Sequence, residues 1–271
     1  MTAKQLVAEK HIADFERDGV ICLRSVIDDR WLEVVAEAID RDIASPGPFF
    51  HGYDVDGSGR FHGNLRTWEN DEGFRSYCME SPLPSMAQQI MRTTRVNLFY
   101  DQLFVKDADT QSPTRWHNDQ PYWPVRGRQV ISFWLALDHT DLSNGGLEFV
   151  GGSHRWERWF QPEPFGPTNT IGYDKNPDYE KMVDIDAERS RHEILSWDLE
   201  PGDVLAFSAM TVHGAPPNMH PSRRRRGYTV RYTGDDAVYY SAAGMSQPLL
   251  TDTLTSGDPI GGDRFPQVIP R

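Results

Sequence analysis

The sequence predicts a mainly β protein, an antiparallel barrel or sandwich with flanking α-helices. Three observations predict it: short apolar runs alternate with Gly, Pro and Asn clusters from Asn97 onward, no helical pattern of about 10–15 residues lies between those runs, and helical periodicity gathers at the N-terminal end.

The chain has 271 residues, of which 38% are hydrophobic and 11% aromatic, so it can build a sizeable core or an aromatic-lined pocket. Residues 1–271 are expected to form one domain. Forty acidic residues against 28 basic ones give a net charge of −12. That is the wrong sign for gripping a phosphate backbone, so a small-molecule substrate is favoured and no nucleic acid is expected. Cys22 and Cys78 are too few for a disulfide framework or a four-thiolate zinc site and fit a reducing, cytoplasmic compartment. The N-terminus carries charge in every turn, and no run approaches the ~20 apolar residues of a membrane span, so neither export nor a membrane is expected.

In chain order, Leu6 to Asp18 reads as an amphipathic helix closed by Gly19, and Val20 to Leu23 as a strand. Asp28 or Asp29 caps a second helix whose apolar stripe, Trp31, Leu32, Val35, Ala38 and Ile39, is a buttress for a sheet. These N-terminal helices cover about 6–43. Ser45 to Arg75 is polar and glycine-rich, a long surface loop placed to cover a pocket. Strand-like runs follow at Asn97–Lys106, Gln129–Leu137, Leu147–Val150, Asp203–Phe207 and Thr229–Tyr232, and residues 161–192 read as an insertion between two of them.

The chemistry sits in RWHNDQPYW. His117 and Asp119 are two apart, so in an extended segment both face one point. His213, in AFSAMTVHGAPPN, ends a distant apolar strand that a barrel would bring alongside. Two histidines and one carboxylate form the facial triad that leaves positions open on iron(II). Alone, His-x-Asp is also the pattern of a surface pair or a hydrogen-bonded core histidine.

WHNDQPYWP, SFWLALD, SNGGLEFVGGSHR, LEPGDVLAFSAMTVHGAPPN and RRGYTVRYTGDD stand in an order and spacing that resemble the phytanoyl-CoA dioxygenase family, from about Asp14 to Asp236. The resemblance implies a double-stranded β-helix (jelly-roll, cupin-like) barrel, with His117, Asp119 and His213 as ligands of Fe(II) and with 2-oxoglutarate and O2 as cosubstrates. Asp119 argues against the halogenating members, which carry a small residue there. Gly151-Gly152-Ser153-His154 departs from the family's Pro-Gly-Ser-His and should loosen that turn without disturbing the metal ligands.

The far carboxylate of 2-oxoglutarate calls for a guanidinium. The resemblance places it about a dozen residues beyond the distal histidine, where PSRRRRGYTVRY puts Arg225 at the position and Arg224 as the alternative. Strand alternation lets only one of the two point inward with Thr229 and Arg231. Trp134 matches an aromatic of the cosubstrate pocket in similar proteins, Gln102 can reach a 2-oxoglutarate oxygen, and Lys106 stands where similar proteins carry Lys. Trp116, Asn118, Tyr122 and Trp123 flank the ligands as expected walls for an apolar or ring-shaped substrate. His51, His62 and Arg66 are either further polar contacts or surface residues.

The expected activity is hydroxylation of an unactivated C–H bond in a small, partly apolar metabolite, with release of succinate and CO2. The alternative is a cupin-like metal-binding isomerase or small-molecule binding protein. Monomer and homodimer are equally compatible with the sequence.

Overall fold

The structure, a computed structural model, describes residues 5–52, 59–164 and 173–270. It opens with α1 (Glu9–Asp18), β1 (Val20–Leu23) and α2 (Asp29–Ala44). Gly19 ends α1 at φ 77°, a left-handed conformation suited to glycine, and its amide donates to Phe15 O. The Asp28 carboxylate caps α2 by accepting from the Trp31 amide at 3.1 Å.

The expected surface loop at 45–75 is partly regular. It supplies β2 (His51–Gly52) and β3 (Phe61–Leu65), while residues 53–58 lie outside the described ones. Next come two helices that the periodicity does not reveal, α3 (Glu72–Glu80) and α4 (Leu83–Met91). Each is short. α3 buries only Phe74, Tyr77 and Cys78 and begins on the Asp71 carboxylate, which accepts from the Gly73 and Phe74 amides. Pro84 fits the first turn of α4 because no amide is needed there.

The remaining strands are β4 (Val96–Lys106), β5 (Thr114–His117), β6 (Val125–Arg126), β7 (Val130–Ala136) and β8 (Glu148–Val150). They continue with β9 (Ile194–Leu195), β10 (Val204–Ser208), β11 (His213–Ala215), β12 (Arg225–Thr233), β13 (Val238–Tyr239) and β14 (Gln267–Ile269). Antiparallel pairing builds an eight-stranded sheet in the order β1-β10-β7-β12-β4-β3-β2, with β14 also on β4, and a four-stranded sheet β5-β11-β8-β9. Of the expected insertion at 161–192, residues 165–172 lie outside the described ones.

Alternation along the central strands decides which face each side chain serves. Ile131, Phe133 and Leu135 of β7, and Tyr228, Val230 and Tyr232 of β12, join one apolar cluster with the buried faces of α2, α3 and α4. The helices are therefore a buttress on the outer face. The opposite residues turn inward: Trp134, Ala136, Leu205 and Phe207 pack with Phe149 and Ala215 of the smaller sheet. The two sheets thus face each other across an apolar interior in the manner of a jelly roll. On β4 the register slips so that Arg231 faces Tyr100 but Tyr232 faces Leu98, leaving Phe99 as an extra residue. No helix among the described residues is long and apolar enough to cross a membrane.

Candidate metal centre

His117 ends β5, His213 begins β11, and the two are register partners in the antiparallel ladder. Asp119 follows at the start of a short turn whose Asp119 and Gln120 amides donate to Ala209 O at 2.9 and 3.0 Å. That tie fastens the carboxylate to the segment leading into His213. The His213 segment is held in turn by Ser153, whose Oγ accepts from the Val212 amide at 2.8 Å, and by Thr211 Oγ1 donating to Gly19 O at 2.8 Å. The Gly151–His154 turn therefore keeps its supporting role despite the doubled glycine, with Gly152 at φ 74°.

Both imidazoles are oriented by their backbone. His117 Nδ1 meets Arg115 O at 2.8 Å and His213 Nδ1 meets Thr211 O at 2.9 Å. A carbonyl only accepts, so Nδ1 carries the proton and each Nε2 presents a lone pair. Asp119 Oδ1 lies 3.4 Å from His117 Nε2 and 4.0 Å from His213 Nε2. Ligands bonded at about 2.1 Å to one ion stand about 3–4 Å apart, so this donor set fits a divalent metal.

The protonation states suit that role. Burial pushes the Asp119 carboxyl upward, but Arg231, His213 and His117 outweigh it and hold it at about 2. Burial, then the neighbouring His117, lower His213 to about 4. At neutral pH Asp119 is a carboxylate and His213 a neutral donor.

These ligands open onto a cavity of about 520 Å³. Its apolar wall includes Phe49, Phe50, Tyr100, Tyr122, Trp123 and Tyr173, and Gln102, Trp134, Thr229 and Arg225 face the same space. Arg225 is 2% exposed and its guanidinium stands 5.6 Å from the Trp134 ring. Among the described residues no carboxylate lies within ion-pair reach of it, and its Nε makes no hydrogen bond. Burial lowers it to about 10. Trp134 takes its place because Gly227 faces it: a Cβ there would stand 2.2 Å from the ring.

The rest of the arginine run is sorted by alternation and pairing. Arg224 is exposed and precedes β12, Arg226 pairs with Asp138 at 2.7 Å, and Arg223 with Asp141 at 2.9 Å. Lys106 is fully buried beside Arg225, its register partner; its Nζ donates to Pro216 O at 3.0 Å, and it does not line the cavity. Burial, then Arg225, push its pKa well down.

Two expected cavity walls are corrected. Trp116 and Asn118 flank His117, so their side chains leave on the opposite side. Trp116 Nε1 donates to Asp186 Oδ1 at 3.0 Å, and Asn118 Nδ2 donates to Arg158 O at 2.9 Å. His51 lines the cavity, whereas His62 is buried against Asp42 at 2.7 Å, and Arg66 pairs with Glu69. Sequence reasoning missed Phe49, Phe50, Tyr100, Tyr173 and the strap Gly244–Pro248, which line the cavity from loops and a bulge without any motif.

Comparison with known proteins bears on the family and the fold. A family model described as phytanoyl-CoA dioxygenase (PhyH) matches residues 15–227. The peroxisomal phytanoyl-CoA dioxygenase of Rattus norvegicus is 27% identical over 66% of this chain and 51% of its own length, so the chain spans about half of that relative. The multifunctional dioxygenase prhA of Penicillium brasilianum is 22% identical over 89% of this chain and 77% of its own. Among solved structures, the non-haem α-ketoglutarate-dependent carbocyclase SnoK from nogalamycin biosynthesis superposes with a TM-score of 0.76 at 18% identity, covering 96% of each chain. The epimerase SnoN of the same biosynthesis gives 0.73 at 23% identity, covering 96% of this chain and 97% of its own. These two likenesses bear on the fold.

Proposed function

The chain belongs to the phytanoyl-CoA dioxygenase family, and on that premise we propose that it is an Fe(II)- and 2-oxoglutarate-dependent dioxygenase hydroxylating an unactivated C–H bond of a small, partly apolar metabolite. The observation that carries the reading is the pairing, in one cavity, of the His117–Asp119–His213 donor set with the buried Arg225.

His117 Nε2, His213 Nε2 and the Asp119 carboxylate would hold iron(II) and leave the remaining positions to cosubstrate and oxygen. When bound, the iron with 2-oxoglutarate and O2 supplies the two-electron oxidation, releasing succinate and CO2. Arg225 would pair with the far carboxylate of 2-oxoglutarate, the planar fork matching a carboxylate. Trp134 walls that end of the cavity, and Gln102 offers an amide to the cosubstrate. Tyr122 and Trp123, with Phe49 and Phe50, exclude water and orient an apolar substrate. A redox-inactive cupin-like binder has no use for Arg225, a buried cation facing the metal cavity without an ion-pair partner among the described residues.

The test is succinate formation by the iron-loaded protein against a panel of ring-containing and aliphatic metabolites, with product masses read alongside. Substrate-dependent succinate with a product one oxygen heavier is expected. A product of unchanged mass would move the activity toward the epimerase chemistry, and a product two hydrogens lighter toward the carbocyclase chemistry, named for the similar structures, and failure of the iron-loaded protein to bind 2-oxoglutarate would remove the reading.

A further inference from the structure

A second guanidinium enters the cavity from the same face of β12, near the other end of the strand. Arg231 is 3% exposed and fixed between two rings, 4.4 Å from Tyr100 and 5.0 Å from Trp123. Among the described residues its ion-pair partner is Asp119, whose Oδ2 lies 3.9 Å from Nε, close enough for charge attraction and too far for a hydrogen bond. Neither Nε nor Nη1 makes a hydrogen bond among the described residues.

Charge counting shows what this cation lacks. With the metal site filled as read above, the two positive charges of iron(II) and that of Arg225 are matched by Asp119 and the two carboxylates of 2-oxoglutarate. Arg231 is then the surplus charge. Among the described residues the other acid lining the cavity, Asp174, is exposed to solvent. With its one ion-pair partner, Asp119, committed to the metal, a buried cation with free donors favours whatever supplies a further anion.

We propose that Arg231 recognises an oxyanion of the substrate, so that the cavity takes a compound with an apolar, ring-containing body and a carboxylate seated beside the metal. The body would lie along Phe49, Phe50, Tyr122 and Tyr173. The inference rests on the 2-oxoglutarate reading, because that reading assigns Arg225 and Asp119 their own partners. The rival role for Arg231, serving only to steady Asp119, gives no preference for an anionic ligand.

The experiment is anaerobic calorimetry on the protein loaded with iron(II) and 2-oxoglutarate, using 2-naphthoate and its methyl ester as probes. The loading step itself reports on the underlying reading: no binding of 2-oxoglutarate defeats both. Given loading, the acid should bind at least tenfold more tightly than the ester. Arg231→Met should reduce that ratio below threefold, and Arg231→Lys should keep part of it. Equal affinities, a tighter ester, no detectable binding of the acid, or a preference that survives in Arg231→Met overturns the proposal while leaving the 2-oxoglutarate reading standing. Should the Met variant fail to fold, the wild-type ratio and its partial retention in Arg231→Lys decide the matter.

Discussion

His213 stands opposite His117 in the β5–β11 ladder, with the two ring centroids 4.2 Å apart. Sheet pairing, not loop conformation, therefore sets the separation of the two imidazoles, and what supports β11 should show up in metal affinity.

Ser153→Ala removes the acceptor of the buried Val212 amide just before His213. An unsatisfied buried donor costs roughly 1–3 kcal/mol. Urea unfolding should show a loss of that order, and iron(II) titration a roughly 10-fold or greater fall in affinity, as expected for supports of metal ligands. Unchanged metal affinity would detach the turn from the site.

The metal-free protein should carry a pH signature at His213. Its folded pKa, about 4, lies below the ordinary 6.5, so the stability tied to its neutral form is fully present above pH 6.5 and is lost as pH falls toward 4. The span corresponds to roughly 3 kcal/mol. Comparing urea unfolding of wild type and His213→Gln from pH 7 to 4 isolates it: the difference between the two should shrink on acidification, and a constant difference would contradict the burial argument.

Arg225→Ala should spare metal binding and raise the 2-oxoglutarate requirement. Losing a charge-assisted bidentate contact of about 2–3 kcal/mol predicts an increase on the order of 100-fold in the apparent KM for 2-oxoglutarate. Arg224→Ala, altering an exposed side chain outside the cavity, should leave that constant within about twofold. The reverse ranking would exchange the two assignments.

Gly227→Ala would place a methyl within 2.2 Å of the Trp134 ring. Displacing a buried Trp from a packed wall should cost about 1–3 kcal/mol in stability and weaken 2-oxoglutarate binding together with it. A destabilised variant with normal 2-oxoglutarate affinity would show that Trp134 is a packing residue only.

His117 and Asp119 were legible as a pair because His-x-Asp lies within one extended turn, whereas His213 and Arg225 were placed by the family resemblance, with alternation allowing only one of Arg224 and Arg225 to share the face of Thr229 and Arg231. The same rule, applied to Trp116 and Asn118, would have turned them away from His117's side. The strand pattern from Asn97 onward also reads directly, since each central strand buries both faces. α3 and α4 were hidden because each is two to three turns long, with one narrow buried stripe. The cavity wall was not legible at all: Phe49 and Phe50 come from a loop, Tyr100 from beside a one-residue slip in β4, and Met245 from a distant strap, and only tertiary packing gathers them.

On this reading three side chains from two distant segments would hold one iron(II) with room for a chelating cosubstrate. Anaerobic titration of the metal-free protein with iron(II), followed by 2-oxoglutarate and read by visible absorption, tests it most directly. One iron per chain and a weak charge-transfer band that appears only on adding 2-oxoglutarate, absent in Asp119→Ala, is the predicted result. Iron binding that persists unchanged in Asp119→Ala, or a wild-type protein that binds iron yet develops no band, would contradict it.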